Sequence, residues 1–181
     1  MSNFSDLIKK RRSARKFKEE LIQPQQLEQI LKAGLMAPSS KRCTCWEFVV
    51  VEEKTVLQQL SVCKANGATF LANAPLAIVI LGNELKTDVW IEDASIAAIM
   101  MQLQAEELGL GSCWIQVRGR SDNHGISAEE NVRGLLNIPE GYHPLCILAL
   151  GVKDEEKAPF DESRLKWEKV HLGSFKQNQA E

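Results

Sequence analysis

The feature that most constrains the fold is an uninterrupted apolar run from Leu76 to Leu81, bounded by Pro75 and Gly82. The run has the length of a strand, and without alternating polar positions it predicts a strand buried on both faces. A sheet that contains such a strand needs a covering layer on each side. The chain is therefore predicted to fold as layers around this strand, in one domain that spans residues 1–181.

One covering element is predicted between Trp90 and Leu108, where few polar residues interrupt the apolar ones. A helix that is apolar on nearly every side belongs in a core or in a subunit interface. Other elements follow from capping residues: Pro24 suits the first position of a helix, and Ser127 with Glu130 matches an S-x-x-E capping box. Three further runs have strand length: Trp46–Val51, Ser112–Val117 and Leu145–Leu150. By itself, this alternation of helices and strands favours an α/β fold.

Charge and cysteine content exclude several classes of partner. The net charge is −2, which gives the whole molecule no attraction to nucleic acid or to an anionic membrane. No secretory segment follows Met1, and no apolar run is long enough to span a bilayer. The five cysteines are odd in number and lack zinc-site spacing, so we expect reduced thiols and no metal site. These features predict a cytoplasmic protein that binds neither nucleic acid nor membrane.

A local basic cluster begins at Arg11, with five cations between positions 11 and 18. Closely spaced arginines beside a serine hydroxyl supply the converging donors that a phosphate needs. Two other interpretations remain open from the residues alone: a solvated charged face, or cations placed at a helix C-terminus by the helix dipole.

Side chains suited to catalysis are scarce. The segment Gly109-Leu110-Gly111 lacks the third glycine of a dinucleotide fingerprint, and no G-x-S-x-G motif is present. Cys113 lies within an apolar strand and is interpreted as a buried, unreactive thiol. The sequence therefore predicts no catalytic side chain, and favours a cofactor that carries the reaction.

Four segments in one order carry a resemblance to a known family. They are Arg11-Arg12-Ser13-Ala14-Arg15, Ala37-Pro38-Ser39-Ser40 ahead of Trp46, Ala74-Pro75, and Gly109-Leu110-Gly111-Ser112-Cys113-Trp114-Ile115. Together the sequence resembles the nitroreductase family of FMN-dependent oxidoreductases over nearly its whole length. The resemblance implies an α+β three-layer sandwich, with a mostly antiparallel sheet flanked by helices. It also implies a homodimer with FMN at the interface, in which residues 153–181 form a swapped C-terminal arm.

The resemblance also implies a set of flavin contacts. Arg11, Arg12, Ser13 and Arg15 would meet the phosphate, the ribityl chain and the pyrimidine edge. The other implied contacts are Pro38, Ser39 and Ser40 from the other subunit, Trp114, Ile115 and Gln116 beside the isoalloxazine, and Arg164 as a second phosphate-binding cation.

The sequence departs from the family pattern A-P-S-S-x-N-x-Q-P-W at three positions. Arg42, Thr44 and Cys45 replace the Asn, Gln and Pro. Two roles remain open for Arg118 and Arg120: contact with the flavin or a substrate, or a place in a solvated loop.

The activity implied by the resemblance is ping-pong hydride transfer. NADH or NADPH would reduce flavin at N5, and a small electron-poor acceptor such as a nitroaromatic or a quinone would then be reduced. Two alternatives remain: a divergent flavin enzyme such as a reductive dehalogenase, and a non-catalytic protein that binds flavin or another phosphorylated ligand.

Overall fold

The computed structural model describes residues 3–175, so positions 176–181 of the predicted arm lie outside the described residues. The helices are α1 (Phe4–Lys10), α2 (Pro24–Leu35), α3 (Lys54–Leu60), α4 (Trp90–Glu107) and α5 (Ala128–Leu136). The strands are β1 (Trp46–Val51), β2 (Leu76–Asn83), β3 (Leu110–Gln116) and β4 (Tyr142–Val152). Short 3-10 turns lie at Ser40–Arg42, Thr69–Asn73, Glu162–Arg164 and Trp167–Lys169.

The strands form one sheet in the order β1-β2-β4-β3, and each neighbouring pair is antiparallel. This confirms the α+β class, and the α/β fold favoured by the alternation of elements is wrong. The reason lies in the position of β4. Strands β2 and β3, which α4 connects, are both antiparallel to β4 and therefore parallel to each other. The last strand of the sheet fills the gap between them, which the order of elements along the chain does not reveal.

Strand β2 is buried along its full length, as its apolar run predicts. Its alternate side chains belong to two core clusters on opposite faces of the sheet. Leu76, Ile78 and Ile80 pack with residues of α2 and α4, whereas Ala77 and Val79 pack with residues of α3 and α5. The molecule is a three-layer sandwich.

The central helix α4 packs against the sheet and against α2. Met101 lies at the crossing with α2, where Gly34 leaves so little room that an added Cβ would stand 2.1 Å from the methionine methyl group. Ile96 and Ile99, by contrast, are 37% and 41% exposed. The helix therefore covers the core on one side and presents apolar residues on another.

The ends of the elements follow their capping residues. The Ser127 hydroxyl accepts the backbone N–H of Glu129 and begins α5. Strand β4 begins before the predicted Leu145, because a register shift between Ile80 and Leu81 of β2 accommodates Pro144.

Among residues 3–175, no helix has the length and apolar character required to cross a lipid bilayer.

Candidate functional site

The basic segment that follows α1 runs along the outer edge of β3. Ser13 forms a parallel bridge with Ser112, and the backbone N–H of Ala14 donates to the Ser112 carbonyl at 3.0 Å. Gly111 permits this close approach, since a Cβ there would lie 2.7 Å from the Cβ of Ala14 and 2.8 Å from Cγ of Lys153. The cations of the segment are therefore held at one end of β3.

Two charged residues beyond β4 hold the backbone of the basic segment. The Glu155 carboxylate accepts the backbone N–H groups of Arg15 and Lys16, and the Lys157 ammonium donates to the Ser13 carbonyl. The hydrogen bond from Arg15 is the main cause that lowers the pKa of Glu155. Because this carboxylate binds backbone groups, it does not pair with the Arg15 guanidinium, which has no ion pair to any acid in the described part of the chain.

Arg11 and Arg12 of this segment line two cavities. A cavity of about 690 Å³ is lined by the cations Arg12, Lys157, Arg164 and Lys166. Its one acid, Asp161, accepts the N–H and hydroxyl of Ser163. A second cavity of about 490 Å³ is lined by Arg11, Arg12, Ser5, Lys9, Glu162 and the apolar side chains of Ile8, Phe160 and Leu165. The structure thus brings Arg164 to Arg12, although 152 positions separate them in sequence.

The guanidinium groups of Arg11, Arg12, Arg15 and Arg164 form no ion pair within residues 3–175. Arg15 lies over the ring of Phe70 at 5.9 Å from the centroid. Arg12 and Arg164, which line one cavity, are suited to bind an anionic group with several charge-assisted hydrogen bonds.

The side chains of the β3 residues named from sequence have different environments. Ile115 is 1% exposed and belongs to the core, so only its backbone is available to a ligand. The indole N–H of Trp114 donates to Oε1 of Gln116 at 2.9 Å, and Nε2 of Gln116 donates to the Arg118 carbonyl at 2.8 Å. Gln116 therefore fixes the orientation of Trp114.

The backbone of β3 offers donors along the same edge. A residue in a strand directs its N–H and C=O to one edge, and successive residues alternate. Because the Ser112 carbonyl accepts from Ala14, Ser112, Trp114 and Gln116 direct their backbone groups away from β4. Beyond Ser112, this open edge presents the N–H groups of Trp114 and Gln116 to a ligand.

The loop with Pro38, Ser39 and Ser40 lies at the opposite end of α4 from the basic segment. The Ser40 N–H donates to Oδ1 of Asp93 near the start of α4, at 2.9 Å. Glu106, near the end of α4, is 2.7 Å from the Lys153 ammonium beside the basic segment. The helical rise between Asp93 and Glu106 is about 20 Å. One chain therefore does not bring this loop to the arginines.

Several functional candidates were not identified from sequence. Glu155, Lys157 and Lys166 lie in a charged tail whose composition gives no pattern. Trp90 and His143 line a third cavity of about 370 Å³ with Arg118. The rings of Trp90 and His143 stack at 5.5 Å, and the Arg118 guanidinium lies 5.9 Å from the Trp90 ring. Sequence alone does not reveal these contacts, because Trp90, Arg118 and His143 lie in different segments that only the folded sheet brings together.

Two glutamates complete the third cavity, with His143 between them. Its Nε2 lies 2.8 Å from Oε1 of Glu84 without the alignment of a hydrogen bond, and its Nδ1 lies 3.9 Å from Oε2 of Glu129. Arg118 thus faces a formed cavity, whereas Arg120 donates to the adjacent Gly119 carbonyl.

Two cysteines have environments that suppress reactivity. Cys113 is 1% exposed, and burial raises its pKa, in agreement with its interpretation as a buried thiol. Burial also raises the pKa of Cys45 to about 12. Its thiol is therefore protonated, and it lies 3.7 Å from Oδ2 of Asp93.

The sequence matches the Nitroreductase family over residues 8–63 and 52–152. An Archaeoglobus fulgidus protein with the provisional name NADH dehydrogenase/NAD(P)H nitroreductase is 31% identical over 170 residues, which cover 91% of this chain and 94% of that protein. Iodotyrosine deiodinase of Thermotoga neapolitana is 26% identical, with 88% of this chain and 94% of that protein covered.

A solved structure supports the same family. The FMN-dependent nitroreductase of Clostridium difficile R20291 is 51% identical and superposes with a TM-score of 0.92, covering 94% of this chain and 99% of that one. The antiparallel sheet, the two helical layers and these matches agree with one another, and the chain belongs to the Nitroreductase family.

Proposed function

We propose that the protein is an FMN-dependent NAD(P)H oxidoreductase that reduces a small electron-poor acceptor, such as a nitroaromatic or a quinone. The observation that carries the proposal is the cavity that Arg12 and Arg164 both line, where neither forms an ion pair with an acidic residue among positions 3–175. A phosphate that carries nearly two negative charges matches this set of donors.

The residues of the segment agree with the chemistry of FMN. Arg11, Arg12 and Arg15 supply guanidinium donors, Ser13 supplies a hydroxyl, and Arg164 supplies a further cation to the same cavity as Arg12. We propose that this group binds the phosphate, the ribityl chain and the pyrimidine edge. Lys157 and Glu155 would fix the segment by its backbone, which leaves its side chains available.

The edge of β3 would bind the flavin ring. When bound, FMN supplies hydride transfer at N5, first from NADH or NADPH and then to the acceptor, in a ping-pong sequence. The N–H groups of Trp114 and Gln116 face outward, so either one is suited to donate to a ring nitrogen. The Gln116 amide would hold Trp114 in one orientation, and Ile115 would contribute through its backbone. No side chain needs to act as a general acid, since water can supply protons.

We further propose a homodimer in which Pro38, Ser39 and Ser40 complete the flavin site of the partner subunit. Support comes from the helical rise of about 20 Å between Asp93, which binds this loop, and Glu106, whose partner Lys153 lies beside the basic segment of the same chain. The second support is the predicted arm, 153–181, whose described part carries large exposed apolar side chains: Leu165, Trp167, Val170, Leu172 and Phe175. Such residues are unfavourable in water and suited to a subunit interface.

A second candidate is reductive dehalogenation, which the similarity to iodotyrosine deiodinase supports. Both activities would use the same flavin and differ in the acceptor. The test is to supply FMN-loaded protein with NADH or NADPH and to compare p-nitrobenzoate, menadione and a halogenated tyrosine as acceptors. Sustained NAD(P)H oxidation with the first two supports the proposal, whereas halide release from the third favours the alternative. If the flavin-loaded protein does not oxidise NAD(P)H in the presence of any of the three acceptors, the result supports a non-catalytic protein that binds flavin.

A further inference from the structure

The loop that follows Ser40 brings two thiols to a buried carboxylate. Cys43, Cys45 and Asp93 each offer one ligand atom, and these atoms lie within 4.8 Å of one another. Cys45 and Asp93 are buried, and Cys43 is half-buried. We propose that these three residues form a binding site for a thiophilic divalent ion, Zn²⁺, with a fourth position open to water.

The distances suit a tetrahedral ion. Oδ2 of Asp93 lies 3.4 Å from Sγ of Cys43 and 3.7 Å from Sγ of Cys45. With the usual zinc–sulfur and zinc–oxygen bond lengths, a tetrahedral site separates a sulfur and an oxygen ligand by about 3.5 Å. Both sulfur–oxygen distances are thus close to those of a tetrahedral site, and the two sulfurs lie within 4.8 Å of each other.

The carboxylate is already oriented by a second contact. The Ser40 N–H donates to Oδ1 of Asp93 at 2.9 Å, more closely than its 3.2 Å approach to Oδ2. Oδ2 therefore remains directed at both sulfurs. An outer hydrogen bond of this kind fixes a ligand and increases metal affinity.

The loop itself is held at both cysteines. The Cys43 N–H donates to the Ser40 carbonyl at 2.9 Å, and the Cys45 carbonyl accepts the N–H of Asn83 at the end of β2, also at 2.9 Å. The Thr44 N–H between them donates to the Ser39 hydroxyl at 3.1 Å. Both sulfurs are thus positioned by backbone contacts before an ion binds.

The charge of the site favours a cation. Asp93 is 3% exposed, and no lysine or arginine within residues 3–175 forms an ion pair with it. A buried carboxylate without a cationic partner is costly, and Zn²⁺ would supply that charge. Zn²⁺ would displace the protons of both thiols to solvent, and two thiolates with one carboxylate would then give the complex a net charge of −1, beside the exposed Lys41 and Arg42 of the same loop.

Sequence spacing did not identify this site. A C-x-C pair lacks the second pair of a zinc ribbon, and Asp93 lies 48 positions beyond Cys45. Only the packing of α4 beside the loop supplies the third ligand. The proposal does not depend on flavin binding.

The test uses the reduced full-length protein, stripped of metal by a chelator and titrated with Zn²⁺ against a chromogenic zinc indicator. We expect one Zn²⁺ per chain. Cys43→Ser and Asp93→Asn should each weaken binding by more than the roughly 10- to 100-fold that follows loss of an outer-shell partner. Cys63→Ser is the matched control, because Cys63 is buried in the core cluster on the other face of the sheet. This variant should retain wild-type affinity.

A second measurement does not require a variant. Co²⁺ bound at this site should show tetrahedral visible bands and thiolate-to-metal absorption in the wild-type protein. Reduced wild-type protein that binds no Zn²⁺ would overturn the proposal. Unchanged affinity in a folded Cys43→Ser protein, or a Co²⁺ complex without thiolate absorption, would also overturn it.

Discussion

The carboxylate of Asp93 accepts the backbone N–H of Ser40 at 2.9 Å, across 53 positions of sequence. This hydrogen bond attaches the loop of Pro38, Ser39 and Ser40 to the beginning of α4. The same loop is proposed to contact the flavin of the partner subunit, so its position depends on a helix of its own chain.

Replacement of Asp93 should therefore destabilise the protein. In metal-free buffer, Asp93→Ala removes the acceptor of a partly buried N–H and should lower the free energy of unfolding by about 1–3 kcal/mol. Chemical denaturation measures the change. Asp88→Ala is the control, because Asp88 is exposed in the loop before α4. Equal stability of the two variants would contradict a structural role for the Asp93 hydrogen bond.

Gly111 should be intolerant of a side chain. Gly111→Ala places a Cβ against Ala14 and Lys153, and the expected loss is about 1–3 kcal/mol of unfolding free energy. Gly134→Ala in α5 is a matched control, since a Cβ at Gly134 meets no atom within 4 Å. The control should raise stability by about 0.5–1 kcal/mol. Thermal unfolding of both variants in one buffer checks the opposite signs.

Loss of a cavity arginine should weaken flavin binding. Arg12→Ala and Arg164→Ala should each weaken the free energy of FMN binding by about 1.5–3 kcal/mol, the scale of a charge-assisted hydrogen bond. The Kd for FMN should therefore rise roughly 10- to 150-fold. Arg15→Ala should have a similar effect. Fluorescence quenching of FMN measures the Kd, and Lys54→Ala is the control, because Lys54 is exposed and lines neither of the two arginine cavities. If the arginine variants bind FMN as tightly as the control does, the basic segment is better interpreted as a solvated charged face.

Glu155 should make stability depend on pH. Its pKa is lowered by the Arg15 N–H, so its contribution is present above the ordinary glutamate pKa and is lost as the pH falls through the lowered value. Glu155→Gln should lower Tm at neutral pH and reduce the further fall in acid. Thermal scans at about pH 7 and about pH 3 test this. The exposed neighbour Glu156→Gln should behave as wild type, and a similar acid profile in both variants would exclude the role assigned to Glu155.

Local patterns predicted the elements well. The bounds of β1 and the beginnings of α2 and α4 coincide with their predicted positions, because Pro24 and the apolar runs report local preferences. The antiparallel order was predicted only through the family resemblance. Insertion of β4 between β2 and β3 is a long-range pairing that periodicity does not encode.

Some residues of the candidate site can be identified from sequence, and others only from the structure. The basic segment was recognised because its cations are adjacent in sequence. The contact of Glu155 with Arg15 joins residues 140 positions apart, and Asp93 lies far from Cys43 and Cys45 along the chain. These partners lie in segments without a recognisable motif, and only the packed structure brings them together.

The most direct test of the account is anaerobic titration of the purified, FMN-loaded protein with NADH and NADPH, followed by absorbance of the flavin. The account predicts that one equivalent of either nicotinamide bleaches the flavin band, and that p-nitrobenzoate or menadione then restores it. A protein that does not retain FMN, or whose bound FMN is bleached by neither nicotinamide, would contradict the proposed function.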